Sequence, residues 1–130
     1  MLTSKTSRGR WLFILFIVSM AVSLAHYTDN VIHIKDYTDP LTATDIEIFG
    51  AIMILFGALG WIRYLRGDLT RSFYLFYVYS LINIAVLLHY IYMPFAEMTL
   101  KMNTLIFGEA ITGAIFAAYV AWLHWHEHST

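Results

Sequence analysis

Two ionisable residues stand where hydrocarbon would surround them. Glu109 lies inside the apolar run 102–124, and His89 inside the run 72–93. If each run is a helix rising 1.5 Å per residue, Glu109 sits roughly 10 Å below the start of its run. His89 sits roughly 7.5 Å from Pro94, which closes the preceding run, so the two share a depth. Polar side chains inside a bilayer are costly and are functional candidates by default. Glu47, two residues into the run 45–64, shares a helix face with Gly50, Ala51 and Ile54 and is expected to point inward. The segment closing the first apolar run carries His26, Asp29, Asn30 and His33 at i, i+3, i+4 and i+7. If helix continues through them, they form one polar stripe.

Imidazole and carboxylate suit two kinds of chemistry. They are the ligands that zinc, iron, manganese or copper(II) accept without thiolate. They also pair as acid and base when their environments tune them. The expected metal set is therefore His26, Glu47, His89 and Glu109, with Asp29 and His33 as secondary ligands. The cofactor implied is a divalent transition metal on nitrogen and oxygen ligands. Glu109 and His89 are the candidates for catalytic acid–base work. Asp36 and Asp39, beyond the stripe, read as solvated loop. Asn83 and Thr112 read as bridges between helices.

A second histidine group, His124, His126 and His128, alternates with Trp125 and Glu127. In an extended tail its three imidazoles would share a side and could hold copper, nickel or zinc. There is no cysteine, which excludes disulfides, thiolate nucleophiles and Cys-held metals. Phosphate-binding, dinucleotide-binding, nucleophile-elbow and His-Glu-x-x-His motifs are also absent.

The elements that must position these residues are four apolar runs: 11–27, 45–64, 72–93 and 102–124. Each approaches the roughly 20 residues a helix needs to cross a hydrocarbon core of about 30 Å. Hydrophobic residues make up 59% of the 130 and charged residues 13%, against about 25% charged in soluble domains. The expectation is an all-α integral membrane four-helix bundle, one domain over residues 1–130, with short antiparallel up-down connections. Small residues define the expected contact faces: Gly50, Ala51, Gly57 and Ala58 in the second run. In the fourth they are Gly108, Ala110, Gly113, Ala114, Ala117, Ala118 and Ala121.

Charge sets an expected orientation. Lys5, Arg8, Arg10, Arg63, Arg66 and Arg71 flank one side, and only Lys35 and Lys101 the other. By the positive-inside rule both termini are cytoplasmic, in a plasma (inner) membrane. Six carboxylates against two lysines leave the outer side at −4, a field that gathers cations. The first run also has the layout of a secretory signal, with Ser23-Leu24-Ala25 at a cleavage position; its length favours a retained helix. Net charge of −1 excludes a generally basic nucleic-acid binder.

The function expected from these residues is an outer-leaflet His/carboxylate site that binds a transition metal or a small lipid-soluble ligand. Two alternatives stand beside it: a non-catalytic membrane subunit or assembly factor whose polar residues lock helices or a partner, and a proton-linked carrier using Glu109. The expected partners are the lipid bilayer and a membrane protein or second copy of the chain.

Overall fold

The computed structural model describes residues 2–36 and 41–128, with the side chains of residues 2–6 and 128 left aside. Its long helices are α1 (Leu2–Ile32), α2 (Ala43–Leu65), α3 (Leu69–Ala85) and α5 (Leu100–His128). A 3-10 turn at Val86–Leu88 links α3 to the single-turn α4 (His89–Tyr92), so that limb runs on to Tyr92. Four segments are long and apolar enough to cross a membrane: Ser7–Ile32, Ala43–Leu65, Leu69–Tyr92 and Leu100–Glu127. The chain is therefore read as a multi-pass membrane protein. No strand occurs among the described residues.

Helices α1, α2 and α5 are longer than their apolar runs. With 31 residues, α1 spans roughly 46 Å at 1.5 Å per residue. It carries His26, Asp29 and Asn30 as helix. The reason is packing. Leu12, Phe16, Ser19, Ser23, His26 and Asn30 fall at three- and four-residue steps and are all buried, so one continuous stripe of α1 faces the bundle.

Helix ends are set by local chemistry. Thr42 caps α2: its Oγ1 accepts from Asp45 N at 3.2 Å, and its own N–H donates to Asp45 Oδ2 at 2.8 Å. Asp45 is thereby spent on a capping box. At the other end, Gly67 adopts φ 76°, the left-handed conformation a residue without Cβ takes at little cost. Asp68 then bridges Arg63 at 3.4 Å and Arg71 at 3.3 Å. Between α4 and α5, Asn103 pins the connection. Its Nδ2 donates to the carbonyls of Phe95 and Met98, and its Oδ1 accepts from Tyr90 OH at 2.8 Å.

Around the ring of helices, α1 packs on α2, α2 on α3, α3 on α5 and α5 back on α1. Phe16 sits centrally, 5.9 Å from the Phe76 ring, 5.5 Å from Tyr79 and 5.8 Å from Phe116. Such pairs add about 0.5–1.5 kcal/mol each beyond area burial. Gly57 and Gly60 admit these rings: a Cβ at Gly57 would lie 2.9 Å from Phe16, and one at Gly60 2.7 Å from Phe76. Gly113 brings α5 onto α3, where a Cβ would meet that of Asn83 at 2.7 Å. The alanines behave differently from expectation. Ala51, Ala58, Ala114, Ala118 and Ala121 are exposed, because the buried faces run through Ile46, Gly50, Met53, Gly57 and Gly60 on α2 and through Ile106, Glu109, Gly113, Phe116 and Val120 on α5. Outward-facing Leu55, Leu81, Ile111 and Ile115 give the bundle its apolar exterior.

Candidate functional site

Four residues on one stripe of α1 form a line of buried polarity. Ser19, Ser23, His26 and Asn30 follow one another at steps of four, three and four, each less than 5% exposed. The inner two bond to α3: Ser19 Oγ accepts from Tyr79 OH at 3.0 Å and from Asn83 Nδ2 at 3.3 Å. Ser23 Oγ donates to Asn83 Oδ1 at 3.0 Å. Asn83 is thus the interhelical bridge expected of it. Thr112 is not: its hydroxyl donates to the carbonyls of Gly108 and Glu109 in its own helix.

One turn outward, His26 meets Glu109 across the α1–α5 contact. Nδ1 and Oε2 are 2.5 Å apart, with His26 1% and Glu109 0% exposed. Asn30 Nδ2 lies 3.0 Å from His26 Nε2. With the amide donating there, Nε2 is an acceptor and Nδ1 carries the proton given to Glu109. Glu109 Oε1 is buried with no hydrogen-bond partner. His89 adjoins the pair, its ring centroid 5.4 Å from that of His26. Its Nδ1 donates to the Val86 carbonyl at 2.9 Å, inside the 3-10 turn that ends α3.

The remaining candidates go elsewhere. Glu47 is exposed, because the buried stripe of α2 passes through Ile46 and Gly50 one residue to the side. This corrects the inward placement. Asp29 is 5% exposed and ion-pairs with Lys101 at the start of α5. His33 lies 3.7 Å from Asp29 and 3.1 Å from Asp36. Asp39 falls outside the described residues. No group of three or more His, Asp or Glu side chains capable of holding a metal occurs among the described residues. The expected transition-metal site on His26, Glu47, His89 and Glu109 is not supported. The physical reason is plain: both nitrogens of His26 are engaged, Glu47 faces away, and Asp29 is turned to a lysine.

The histidine tail is also not extended. Helix α5 continues to His128. His124 Nδ1 is 3.1 Å from Tyr77 OH, while His126 Nδ1 donates to the Trp122 carbonyl at 2.8 Å. These two imidazoles serve different partners; the His128 side chain is outside the description.

Sequence reasoning passed over the surface beside the pair. A shallow, open groove lies between α1 and α5 on the side of the Asp29–Lys101 contact. Leu24, Ala25, Ile32 and Leu105 form its apolar walls. Thr28, Asp29, His33 and Lys101 supply its polar groups, clustered where both spans end. The signal was present in Leu24-Ala25 and Thr28-Asp29 at helical spacing, but without Lys101 folded against Asp29 it had no second wall. No family model matches the chain, and no curated protein or solved structure matches it either.

Proposed function

We propose that this protein is a non-enzymatic, ligand-binding membrane protein that takes a small lipid-soluble molecule from the outer leaflet into the groove between α1 and α5. The groove itself carries this reading. It has apolar walls along two apolar spans and hydrogen-bonding groups near their ends, the division an amphipathic ligand needs. The His26–Glu109 pair joins the same two helices and holds the two walls together.

The proposed frame is an antiparallel bundle with both termini cytoplasmic. Along α1, Arg8, His26 and Asp29 meet Glu127, Glu109 and Lys101 of α5, so residue numbers rise in one helix as they fall in the other. Gly57 by Phe16 and Gly50 by Tyr27 repeat that sense for α2. The basic residues at the Arg8 end supply the orientation.

A second reading has its own observation. The His26–Glu109 pair is fully enclosed and joined by one hydrogen bond, with neither residue lining the groove. In a subunit or assembly factor the pair would act purely as a lock between helices. The two separate by experiment. Photoactivatable fatty-acyl probes, reacted in reconstituted vesicles and mapped by peptide mass spectrometry, should label residues 24–33 and 101–105 above the other exposed helix faces. Even labelling over α2 and α3 would leave the lock reading in first place.

A further inference from the structure

We infer that the protein has a second binding site, for a free α-amino acid with an apolar side chain, in a cleft at the arginine-rich end of the bundle. The site lies at the opposite ends of α1 and α5 from the groove and does not depend on it.

All four long helices build this cleft. Arg8 comes from α1, Tyr64 from α2, Leu69 and Phe73 from α3, and Leu123 and Glu127 from α5. A cleft walled by every helix of the ring lies on the axis of that ring. Arg8, Tyr64, Leu69 and Glu127 stand at the span ends or one residue inside them, so the cleft opens toward water rather than sideways to lipid. Phe73 and Leu123, about a turn deeper, are buried and form an apolar floor. Gly9 helps to shape the mouth: a Cβ there would lie 3.2 Å from Tyr64 Oη, so its absence lets the phenol reach the first turns of α1.

The polar groups of the cleft have hydrogen-bonding capacity to spare. Arg8 Nη1 and Glu127 Oε1 are 3.8 Å apart, attracted but beyond hydrogen-bond reach. Among the described residues neither of these side chains, nor the Tyr64 hydroxyl, makes a hydrogen bond. The Trp122 ring, its centroid 5.4 Å from Arg8 Cζ, steadies the guanidinium by its face and spends none of its N–H donors. The two charged side chains are only 31% and 22% exposed, so a ligand seated on them screens both from water and strengthens the contacts.

The lining charges, one of each sign, select the ligand. A simple anion would gain Arg8 and Tyr64 but meet Glu127, and a simple cation would do the reverse. An uncharged apolar molecule would cover both charges and bond neither, which is costly. A zwitterion with its charges close together satisfies all three groups. In an α-amino acid the ammonium and the carboxylate share one carbon. Its carboxylate accepts from the Arg8 guanidinium and the Tyr64 hydroxyl, and its ammonium donates to Glu127. Its side chain meets Leu69, Phe73 and Leu123.

Ligand-observed NMR titration of the full chain in nanodiscs, with L-leucine as the probe, tests this. Three analogues each lack one element: isocaproate the ammonium, isoamylamine the carboxylate, and glycine the apolar side chain. L-leucine should bind saturably, and each analogue at least about tenfold more weakly, a difference of about 1.4 kcal/mol. Glu127→Gln should weaken L-leucine at least about fivefold while isocaproate binds no more weakly than to the parent. Tyr64→Phe should weaken L-leucine and isocaproate and spare isoamylamine. Circular dichroism checks that each variant is folded. No saturable L-leucine binding to the folded parent, analogues that bind as tightly as L-leucine, or L-leucine binding unchanged in both variants would each overturn the assignment.

Discussion

His26 Nδ1 and Glu109 Oε2 lie 2.5 Å apart, joining α1 to α5 between residues 83 positions distant in sequence. Neither side chain reaches solvent or lipid. Breaking such a pair leaves its surviving partner buried without compensation, which costs about 3–5 kcal/mol in water-soluble proteins. Glu109→Ala is therefore expected to destabilise the bundle by about 3 kcal/mol. The double change His26→Leu with Glu109→Leu should recover much of that loss, since it removes both polar partners together. Thermal unfolding in detergent of the single and double variants gives the coupling; additive losses would show that the two residues act independently.

The close approach of α3 and α5 depends on Gly113. A methyl group there would lie 2.7 Å from Asn83 Cβ, displacing the side chain that ties Ser19 and Ser23 to α3. Gly113→Ala should cost about 1–3 kcal/mol, the usual range for overpacking. Gly50→Ala, whose Cβ would meet Tyr27 no closer than 3.4 Å, should stay within about 0.5 kcal/mol. Equal effects from the two would remove the distinction drawn between these helix crossings.

Glu47 and metal share one expectation. Because Glu47 is exposed, Glu47→Gln should leave stability within about 0.5 kcal/mol of the parent. Chelator treatment should leave the melting temperature unchanged, since the described histidines and acids do not converge. A clear drop on chelation, reversed by zinc or another divalent ion, would return a metal to the site.

Orientation can be read by single-cysteine labelling, because the chain has no cysteine of its own. A membrane-impermeant maleimide added to intact cells should modify Lys35→Cys, beyond the end of α1, and spare Arg66→Cys at the end of α2. The opposite pattern would invert the bundle.

Much of the fold was legible because bilayer physics constrains it so narrowly. Four runs near 20 residues leave little choice of element, and Pro94 falls just past the end of its helical limb, where the sequence places it. Glu109 and His26 were visible as polar residues in apolar surroundings, and the three-four spacing predicted that His26, Asp29 and Asn30 share a helix face. Glu47 was misplaced by one residue. Ala51 and Ala58 suggested a neighbouring stripe to the one Gly50, Gly57 and Gly60 occupy, and a shift of one position turns a side chain by about 100°. The groove could not be read at all. Its two walls are distant in sequence, and contacts such as the Asp29–Lys101 ion pair and the His26–Glu109 pair bring them together only in the fold. Ser19 and Ser23 could have been found: they continue the His26–Asn30 spacing inward by two turns.

The most direct measurement compares photo-crosslinking of a fatty-acyl probe between the parent protein and Ala25→Trp, with folding checked by circular dichroism. Ala25 is exposed on the groove wall, so the indole fills the space without disturbing the core. The expected result is a loss of most labelling at residues 24–33 and 101–105, with labelling of α2 and α3 unchanged. Undiminished labelling at the groove in a folded Ala25→Trp protein would contradict a binding site between α1 and α5.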